Sequence, residues 1–559
     1  MSKIDTIGKS ALLAANYAIS VTGHNIANAT VEGYNRQVVL QSNVSGQNMG
    51  FGFIGHGTQI DDVRRVYDEF LGRQAVQAQA SKSQLDAYYN QISKINQKLS
   101  DNTAGISPAL QSFFSALQEV ADEPTSLAVR EALLSETSVF NGRFNEFAAQ
   151  LTEIRNGVNY EITHSVDLIN TYAKEIANLN NEIARAQIAT SDPAPNDLLD
   201  QRDLAISKLS ELIGVRTVKN GINGLDVYVG NGQPLVINNT SFNMFARQST
   251  SDPSKVEIGY MNNGIAVVIP DKLLSGGAVK GLLEFRDQTL NNVENEIGRI
   301  VVSLALDFNA QHKLGMDLNG DMGTDFFNVP LSATSYTSAS PPGSVTSTID
   351  INNYSKLVAS DYRIEVAGNG DYKMTRLSDG KSLTVLAADT SAKFPPAGQV
   401  WDDGSLYDDG IQFESLGLVP GNVLVSRPLA NAAAGLSTLI TDANKIAAAS
   451  PVRTATGPNT SGTGNLGTGV ISAGAVTGTG FATSGTLTFS ETPAPPAFVA
   501  SADVWVTPPS GPSTLITAGT RIPYTENTTF DFGSYPFTIT GKPKTGDTFS
   551  IEPNTGGLG

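Results

Sequence analysis

Cysteine is absent from all 559 residues of the chain. Disulfide bonds, thiolate nucleophiles and cysteine-ligated metal centres are therefore excluded. Positive charge is also scarce, because 37 Lys and Arg residues face 54 Asp and Glu residues, for a formal charge of −17. This surplus of acidic groups repels phosphate backbones, so we expect no nucleic-acid partner. With 40% hydrophobic and only 16% charged residues, the composition is typical of folded domains, and the length predicts several of them.

Long apolar runs are missing as well. No segment approaches the ~18 consecutive apolar residues of a membrane-spanning helix, so we expect no membrane partner. Near the N-terminus, Lys3 and Lys9 precede an apolar stretch, but Asn16, Tyr17 and Ser20 interrupt it. We therefore interpret this region as a helix of the mature protein and not as a cleaved signal peptide. If the protein leaves the cell, we expect it to use another export route.

Histidine is rare, and its four occurrences are scattered along the chain. His24, His56, His164 and His312 form no pair at the spacing of metal ligands. The sequence also contains no nucleophile elbow, and carboxylate pairs can be drawn from any set of 54 acids, so their presence is uninformative. We therefore expect no catalytic residue, no cofactor, no bound metal and no enzymatic activity.

One acidic segment begins like a calcium-binding loop. Asp317, Asn319 and Asp321 have the spacing of its first three ligands. The loop then requires a glycine and, later, a bidentate carboxylate, and this chain has Met322 and Asn328 at those positions. The EF-hand interpretation fails, which leaves only a weak ion site as a minor alternative, built from Asp317, Asn319, Asp321 and Asp325.

Residues 50–55 match the Gly-x-Gly-x-x-Gly pattern of dinucleotide-binding loops. Such a loop needs a strand before it and a helix after it, so that the helix N-terminus meets the pyrophosphate. Here a turn-like segment precedes the glycines and a strand-like segment follows them. The pattern therefore predicts a glycine-rich hairpin.

The N-terminal segment forms a helix with two neighbouring apolar stripes. The first seam repeats at a spacing of three to four residues and consists of Ile4, Ile7, Ala11, Ala14, Ala18 and Val21. The second seam lies one residue over and consists of Leu12, Ala15, Ile19, Thr22, Ile26 and Ala29. The two stripes are about 100° apart around the helix. A face this wide indicates either a core helix or a helix packed between several neighbours, and we expect it to have no complete partner within the chain.

Further apolar seams predict long helices through about residue 190. One of these helices is predicted to be nearly continuous over residues 137–187, roughly 75 Å at 1.5 Å per residue. Residues 215–270 alternate in short β-type runs broken by Asn-Gly pairs, and helix returns over 281–312. After residue 330 the composition changes to Ser, Thr, Gly, Pro and Asp. Residues 430–449 are predicted to form a helical connector.

Two segments of this later region share one skeleton. Residues 409–428 and 529–553 each contain a strand, a glycine turn, a proline followed by Gly-Asn or Gly-Asp, and a strand that ends in proline. The repeat predicts two related β modules with one fold and separate cores.

The predicted fold class is a multidomain α+β protein: an elongated long-helix bundle with a β-rich insertion and two related outer β modules. The predicted domains are a terminal assembly helix (1–36), a long-helix core (37–214 with 271–330), a small β insertion (215–270), outer module 1 (331–428), a connector (429–470) and outer module 2 (471–553).

Three N-terminal segments carry a family resemblance: Ser10-Ala-Leu-Leu-Ala-Ala-Asn-Tyr-Ala18, His24-Asn-Ile-Ala-Asn-Ala-Thr30 and Gly33-Tyr-Asn-Arg-Gln37. They resemble the N-terminal signature of flagellar rod, hook and hook-associated axial proteins, although His24 stands where the family often has Asn. Later segments narrow the resemblance to hook-associated proteins of the hook–filament junction, and it covers residues 1–330 well. They are Val66-Tyr-Asp-Glu-Phe-Leu71, Asn196-Asp-Leu-Leu-Asp-Gln-Arg-Asp203, Gly281-Leu-Leu-Glu-Phe-Arg-Asp287 and Thr441-Asp-Ala-Asn-Lys-Ile-Ala447.

The resemblance implies a secreted, extracellular structural subunit of the bacterial flagellum, a mechanical adaptor that assembles as a ring at the junction between hook and filament. Its partners would be further copies of itself, the hook protein and the next hook-associated protein toward the filament. Family members end in a second seam helix that pairs with the first, and the export apparatus and chaperone would bind near that end. This sequence ends in turn residues over 553–559, so that helix is absent from it and we assign those contacts to no residue.

The resemblance and the seams together define a candidate assembly interface. It consists of Ile4, Ile7, Leu12, Ala15, Ile19, Ile26, Asn25, Asn28, Gly33 and Tyr34. The alternatives are another flagellar axial protein of the hook or rod, a secreted adhesin that acts through the outer β modules, and an enzyme with an unrecognised pocket in those modules.

Overall fold

Helices dominate the first 312 residues. The structure, a computed structural model, describes residues 3–48, 53–99, 105–190, 195–221, 224–262, 264–337, 342–389, 393–462, 464–473, 484–533 and 535–554. The helices are α1 (Lys3–Ala27), α2 (Glu69–Leu99), α3 (Ile106–Asp122), α4 (Leu127–Thr190), α5 (Asn196–Leu212), α6 (Gly277–Glu284) and α7 (Asn291–His312), with a π-helical turn (Phe285–Leu290) joining the last two. None of these described helices is both long enough and apolar enough to cross a membrane.

Helix α4 is the longest of the described helices. It has 64 residues, about 96 Å at 1.5 Å per residue, so the predicted long helix is confirmed and extends further in both directions. Its buried stripe follows the helical period and includes Phe140, Phe144, Phe147, Leu151, Val158, Ile162, Val166 and Ile169. The first part of this stripe belongs to one hydrophobic core and the later part to a second core. One helix therefore connects two cores.

The N-terminal β hairpin supports α1. Its strands are β1 (Gln37–Asn43), β2 (Gln47–Asn48), β3 (Phe53–Ile54) and β4 (Thr58–Arg65). Strand β1 pairs antiparallel with β4, with a register shift after Leu40, and β2 pairs with β3. Strands β2 and β3 pair antiparallel on either side of the predicted glycine-rich hairpin, but residues 49–52 themselves lie outside the described part of the chain.

A small β insertion separates α5 from α6. Its strands are β5 (Val215–Asn220), β6 (Gly224–Val229), β7 (Gln233–Ile237), β8 (Thr240–Ser241), β9 (Met244–Gln248), β10 (Val256–Asn262) and β11 (Ile265–Val268). They form a four-stranded sheet of order β5-β6-β7-β8 and a three-stranded sheet of order β11-β10-β9. Inward residues of both sheets, such as Val227 and Ile258, share the second core with α4.

Outer module 1 shares its core with the helices. Its strands and those just beside it are β12 (Phe327–Asn328), β13 (Ser332–Thr337), β14 (Gly343–Ile349), β15 (Tyr362–Val366), β16 (Tyr372–Arg376), β17 (Ser382–Val385), β18 (Ile411–Leu416), β19 (Val423–Ser426) and β20 (Ser437–Thr438). Tyr362 and Phe413 inside the module belong to the same continuous cluster as Phe113 and Phe140 of the helices. The expectation of a separate core for this module is wrong.

The segment 429–449 is not the predicted helix. It runs as turns, the two-residue strand β20 and a short 3-10 turn (Ala443–Lys445). Its backbone groups bond to distant residues, because Met316 N donates to Ala449 O (2.9 Å) and Leu318 N donates to Asn444 O (3.0 Å). These tertiary bonds replace the i to i−4 bonds that a helix would have made.

Outer module 2 has its own core. Its strands are β21 (Val452–Gly457), β22 (Val470–Ile471), β23 (Gly485–Ser490), β24 (Ala497–Ala500), β25 (Val504–Thr507), β26 (Thr514–Ile516), β27 (Arg521–Pro523), β28 (Thr529–Asp531), β29 (Pro536–Thr540) and β30 (Thr548–Pro553). They form two sheets, β21-β30-β23-β24-β27 and β22-β29-β28-β25-β26, that enclose one aromatic cluster. Because β21 pairs with β30, the module begins near residue 450 and not at the predicted residue 471.

The two modules share a turn but not a fold. Gly421 and Gly546 both have φ of +90°, and the residue after each accepts a hydrogen bond through its side chain from the backbone N–H three residues earlier. In module 1, however, β18 and β19 are edge strands of the sheets β13-β14-β18 and β17-β16-β15-β19, whereas β29 and β30 have neighbours on both sides. The predicted common fold is therefore wrong, since the repeat extends only to the turn and its two flanking strands.

Candidate assembly surface on the N-terminal helix

One seam of α1 rests on the β1–β4 hairpin. Ala14 is 4% exposed, and Ile7, Ala18 and Val21 on the same face are half-buried. The hairpin approaches closely at Gly57, where a Cβ atom would lie 2.2 Å from the Ser10 Oγ. The expectation that α1 has no complete partner within the chain is therefore correct for only one of its two seams.

The second seam of α1 faces away from the chain. Leu12, Ile19 and Ile26 are 66%, 69% and 73% exposed, and Ala15 between them is exposed as well. The side chain of Ile4 lies outside the described part of the structure. Large aliphatic side chains aligned on one helix face and left in water are typical of a surface that another protein covers.

Asn25 and Tyr34 join the end of α1 to strand β1. The Asn25 Oδ1 accepts hydrogen bonds from the Tyr34 hydroxyl (2.7 Å) and the Gln37 N–H (2.8 Å), and its Nδ2 donates to the Gln37 carbonyl (2.8 Å). The His24 ring packs edge-on against Tyr34, with centroids 5.5 Å apart. Burial, with the nearby Asp197 and Asp200 carboxylates, raises the pKa of Tyr34, so its hydroxyl remains a hydrogen-bond donor.

Asn28 and Gly33 shape the turn that follows. The Asn28 Nδ2 donates to the His24 carbonyl (3.0 Å), which also accepts the Asn28 backbone N–H (3.1 Å), so Asn28 reinforces the last turn of α1. Gly33 has φ of +81°, and a Cβ atom there would stand 2.9 Å from the Leu204 Cβ on α5. Both the backbone conformation and the close approach to α5 therefore require glycine.

A cluster of acidic residues on α5, here called the acidic clamp (Asp197, Asp200 and Asp203), was not predicted from the sequence. The Asp200 carboxylate accepts hydrogen bonds from the Asn35 N–H (2.9 Å) and Nδ2 (2.8 Å), and Arg65 at the end of β4 bridges Asp200 (2.8 Å) and Asp203 (2.7 Å). The Gln37 Nε2 donates to Asp197 (2.8 Å). The sequence does contain a pattern that indicates this cluster, because the three aspartates recur every third residue and lie on one face of α5.

Electrostatics at this clamp follow from its burial. Burial raises the pKa of Asp203 above its ordinary value, despite the facing Arg65 cation. Burial also opposes the charge on Arg65, but the pKa of Arg65 rises because Asp203 and Asp200 outweigh it. The clamp therefore holds the segment after α1 and the hairpin against α5. The largely buried Arg65 cation contacts two of its carboxylates.

The acidic segment at Asp317 is a turn. The Asp317 Oδ1 accepts the N–H groups of Asn319 (2.8 Å) and Asp321 (2.9 Å), whereas Asp325 pairs with Lys313 at 2.7 Å. Over the residues that the structure describes, no three His, Asp or Glu side chains come together in a way that would hold a metal ion. The Asp317 Oδ2 also accepts the Asn319 Nδ2 (3.3 Å), so both carboxylate oxygens bond within this turn.

The chain is similar to known proteins over most of its length. Residues 59–327 match the family model described as the flagellar hook-associated protein FlgK helical domain. The chain is 33% identical over 452 residues to flagellar hook-associated protein 1 of Escherichia coli (strain K12), covering 80% of each chain. It is 32% identical over 452 residues to the protein of the same name from Salmonella typhimurium (strain LT2), covering 80% of this chain and 79% of that one.

A solved structure supports the same assignment. The flagellar hook junction protein FlgK from Burkholderia pseudomallei superposes with a TM-score of 0.72 at 29% identity, over 87% of this chain and 89% of that one. The long helices with several antiparallel sheets thus form a FlgK-like fold. The chain belongs to the flagellar hook-associated protein 1 family, whose members are structural, non-enzymatic proteins of the extracellular flagellum at the junction between hook and filament.

Proposed function

We propose that the second seam of α1, formed by Leu12, Ala15, Ile19 and Ile26, is the surface through which this junction protein assembles. The observation that supports this is the contrast between the two faces of one helix. Ala14 is anchored on the hairpin, while Ile19, five residues along the chain, is left 69% exposed. Because α1 is already packed on the hairpin, its exposed apolar face has a fixed orientation. A neighbour that binds this face does not have to order the helix first.

The occupants of this surface are axial proteins of the flagellum. We propose contacts between copies of this chain in a ring, with the hook protein on one side and the next hook-associated protein on the other. Export apparatus and chaperone contacts, which the resemblance places near the family's C-terminal helix, are assigned to no described residue.

The polar residues of the proposed interface have a positioning role. Asn25 and Tyr34 bond to each other and to β1, Asn28 reinforces the last turn of α1, and Gly33 packs on α5. We propose that these four residues orient the apolar seam and do not themselves contact a neighbouring subunit. Ile7 supports the first seam in the same way, since it is half-buried on the hairpin side.

Replacing Ile19 with Asp tests the proposal. In the free subunit the change costs at most about 1 kcal/mol, because little of Ile19 is buried there. In an assembled junction it would place a carboxylate in an apolar interface at a cost of several kcal/mol. We expect a strain that carries only this variant to lose filament attachment, while hydrogen exchange along α1 in the purified subunit stays unchanged.

Two matched variants serve as controls. Ser20→Asp adds the same charge at an exposed position of α1 about 100° around the helix from Ile19, and it should preserve attachment. Ala14→Asp adds the charge on the buried face and should accelerate hydrogen exchange along α1 in the free subunit. Normal filament attachment with Ile19→Asp would refute the assembly role of the second seam.

A further inference from the structure

A cavity opens where three parts of the chain meet. It has a volume of about 420 Å³ and lies between α4, the loop joining β9 to β10 in the insertion, α7, and the segment that follows β19 of module 1. Leu151, Ile297 and Ala433 contribute apolar surface to its walls, and the ionised side chains among its lining are Arg155, Lys255, Arg427 and Glu294. No residue of this cavity belongs to the proposed assembly surface.

Two arginines share one carboxylate at this cavity. Arg155 donates from Nε (3.2 Å) and Nη2 (2.7 Å) to Glu294, and Arg427 also donates to Glu294. Arg155 is only 4% exposed, yet within the described residues its Nη1 meets no hydrogen-bond acceptor. A buried guanidinium with an unused donor at a cavity wall is costly unless an acceptor enters.

The lining carries three cations against one carboxylate. Further carboxylates lie around it, because the Lys255 Nζ is 3.2 Å from Asp287 and the Arg427 Nε is 3.5 Å from Asp361. Neither contact uses the full donor capacity of its cation, since an ammonium has three N–H groups and a guanidinium has five. Arg427 also donates from Nη1 to the Ser254 Oγ (3.1 Å). Arg155 on α4, Lys255 in the insertion and Arg427 after module 1 therefore line the same cavity, and each keeps N–H groups that these contacts do not use.

We propose that this cavity binds a small oxyanion, either a phosphate-type group or a carboxylate, that contacts Arg155, Arg427 and Lys255 together. Guanidinium groups bind both kinds of oxyanion through paired N–H donors. The anion connects α4 to the insertion and to the segment after module 1, so its binding stabilises the arrangement of the three. Its source is either a free anion or an acidic side chain of a second copy of this chain.

Calorimetric titration of the full chain with inorganic phosphate and with citrate, against chloride at equal ionic strength, tests the proposal. We expect saturable binding and a rise in melting temperature with at least one oxyanion. Arg155→Gln should weaken that binding by about tenfold or more, since it removes a charged donor. Lys255→Gln should weaken it as well, which keeps the test valid if the arginine variant fails to fold.

Lys272→Gln is the matched control, because it removes the same charge at an exposed position outside the cavity. If neither oxyanion binds but Lys255→Gln reduces self-association in sedimentation experiments, the carboxylate comes from a second copy. If the oxyanions do not bind and self-association is unchanged, the proposal is wrong. Equal loss of oxyanion binding in Lys272→Gln would also overturn it, since the binding would then reflect overall charge.

Discussion

Arg130 should be among the most sensitive positions of the chain outside the proposed assembly surface. It lies in the first turn of α4 and is 0% exposed. Its Nε donates to the Pro124 carbonyl at 2.6 Å, and its Nη1 donates to the carbonyls of Ile446 at 2.5 Å and Ala443 at 3.3 Å. Burial lowers the pKa of Arg130. This one side chain connects the start of α4 to a turn more than 300 residues later.

Replacing Arg130 with Met removes the donor while keeping an unbranched side chain of similar length. Each buried carbonyl left without a partner costs about 1–3 kcal/mol, and the relief from burying a charge offsets part of the sum. We therefore expect the helical domain to lose about 2–4 kcal/mol of unfolding free energy. The 3-10 turn at Ala443–Lys445 should also become the first site of proteolytic cleavage.

Arg143→Met is the matched control on the same helix. Arg143 is more exposed and, among the described residues, forms an ion pair only with Glu146 at 3.1 Å, so its loss should cost no more than about 0.5 kcal/mol. Urea unfolding followed by far-ultraviolet circular dichroism, which reports the helices, measures both variants. If the two substitutions cost the same, the buried bonds of Arg130 contribute nothing and the reasoning fails.

Three further outcomes follow from the structure. The buried His312 is held neutral between Thr324 O (2.7 Å) and Ala447 N (2.8 Å), and burial lowers its pKa, so its contribution to stability should be complete at neutral pH. That contribution should fall as pH drops below the unfolded value of about 6.5, which thermal unfolding across a pH series would show in the wild type but not in His312→Gln. Deleting residues 450–554 should leave the helical unfolding transition within about 0.5 kcal/mol, because module 2 has its own core; calorimetry of the shortened chain checks this. Gly33→Ala should cost about 1–2 kcal/mol, because its φ is +81° and its Cβ would collide with α5, and faster hydrogen exchange at the end of α1 would reveal it.

Several features were predictable because neighbouring residues encode them. The 3–4 spacing of large apolar side chains identified α4, and the Gly-Asn and Gly-Asp pairs identified two turns of the same geometry. The double seam of α1 and the turn after it at Gly33 were also visible in the sequence. Which seam the chain itself would cover was not, because both satisfy the helical period equally well.

The partners of the acidic clamp on α5 could not be predicted from the sequence. Three aspartates at every third residue indicate one polar face, but only the fold brings Arg65 and Asn35 to that face, from more than 130 residues away. Likewise, only the fold shows that Asn25 bonds to Tyr34 and to the Gln37 backbone and so holds α1 on β1. Leu12, Ile19 and Ile26 stay exposed, and they form the surface that we propose a neighbour covers.

The sequence alone determined local conformation and the membership of seams, since helical period and turn chemistry depend on residues a few positions apart. The tertiary structure decided strand order, the shared core of module 1 and the irregular path of residues 429–449. Those depend on which distant groups satisfy buried backbone polar atoms, as the bonds of Arg130 to Ile446 and of Met316 to Ala449 illustrate. A repeated turn therefore predicted a repeated local structure, but strand pairing between distant segments gave the two modules different folds.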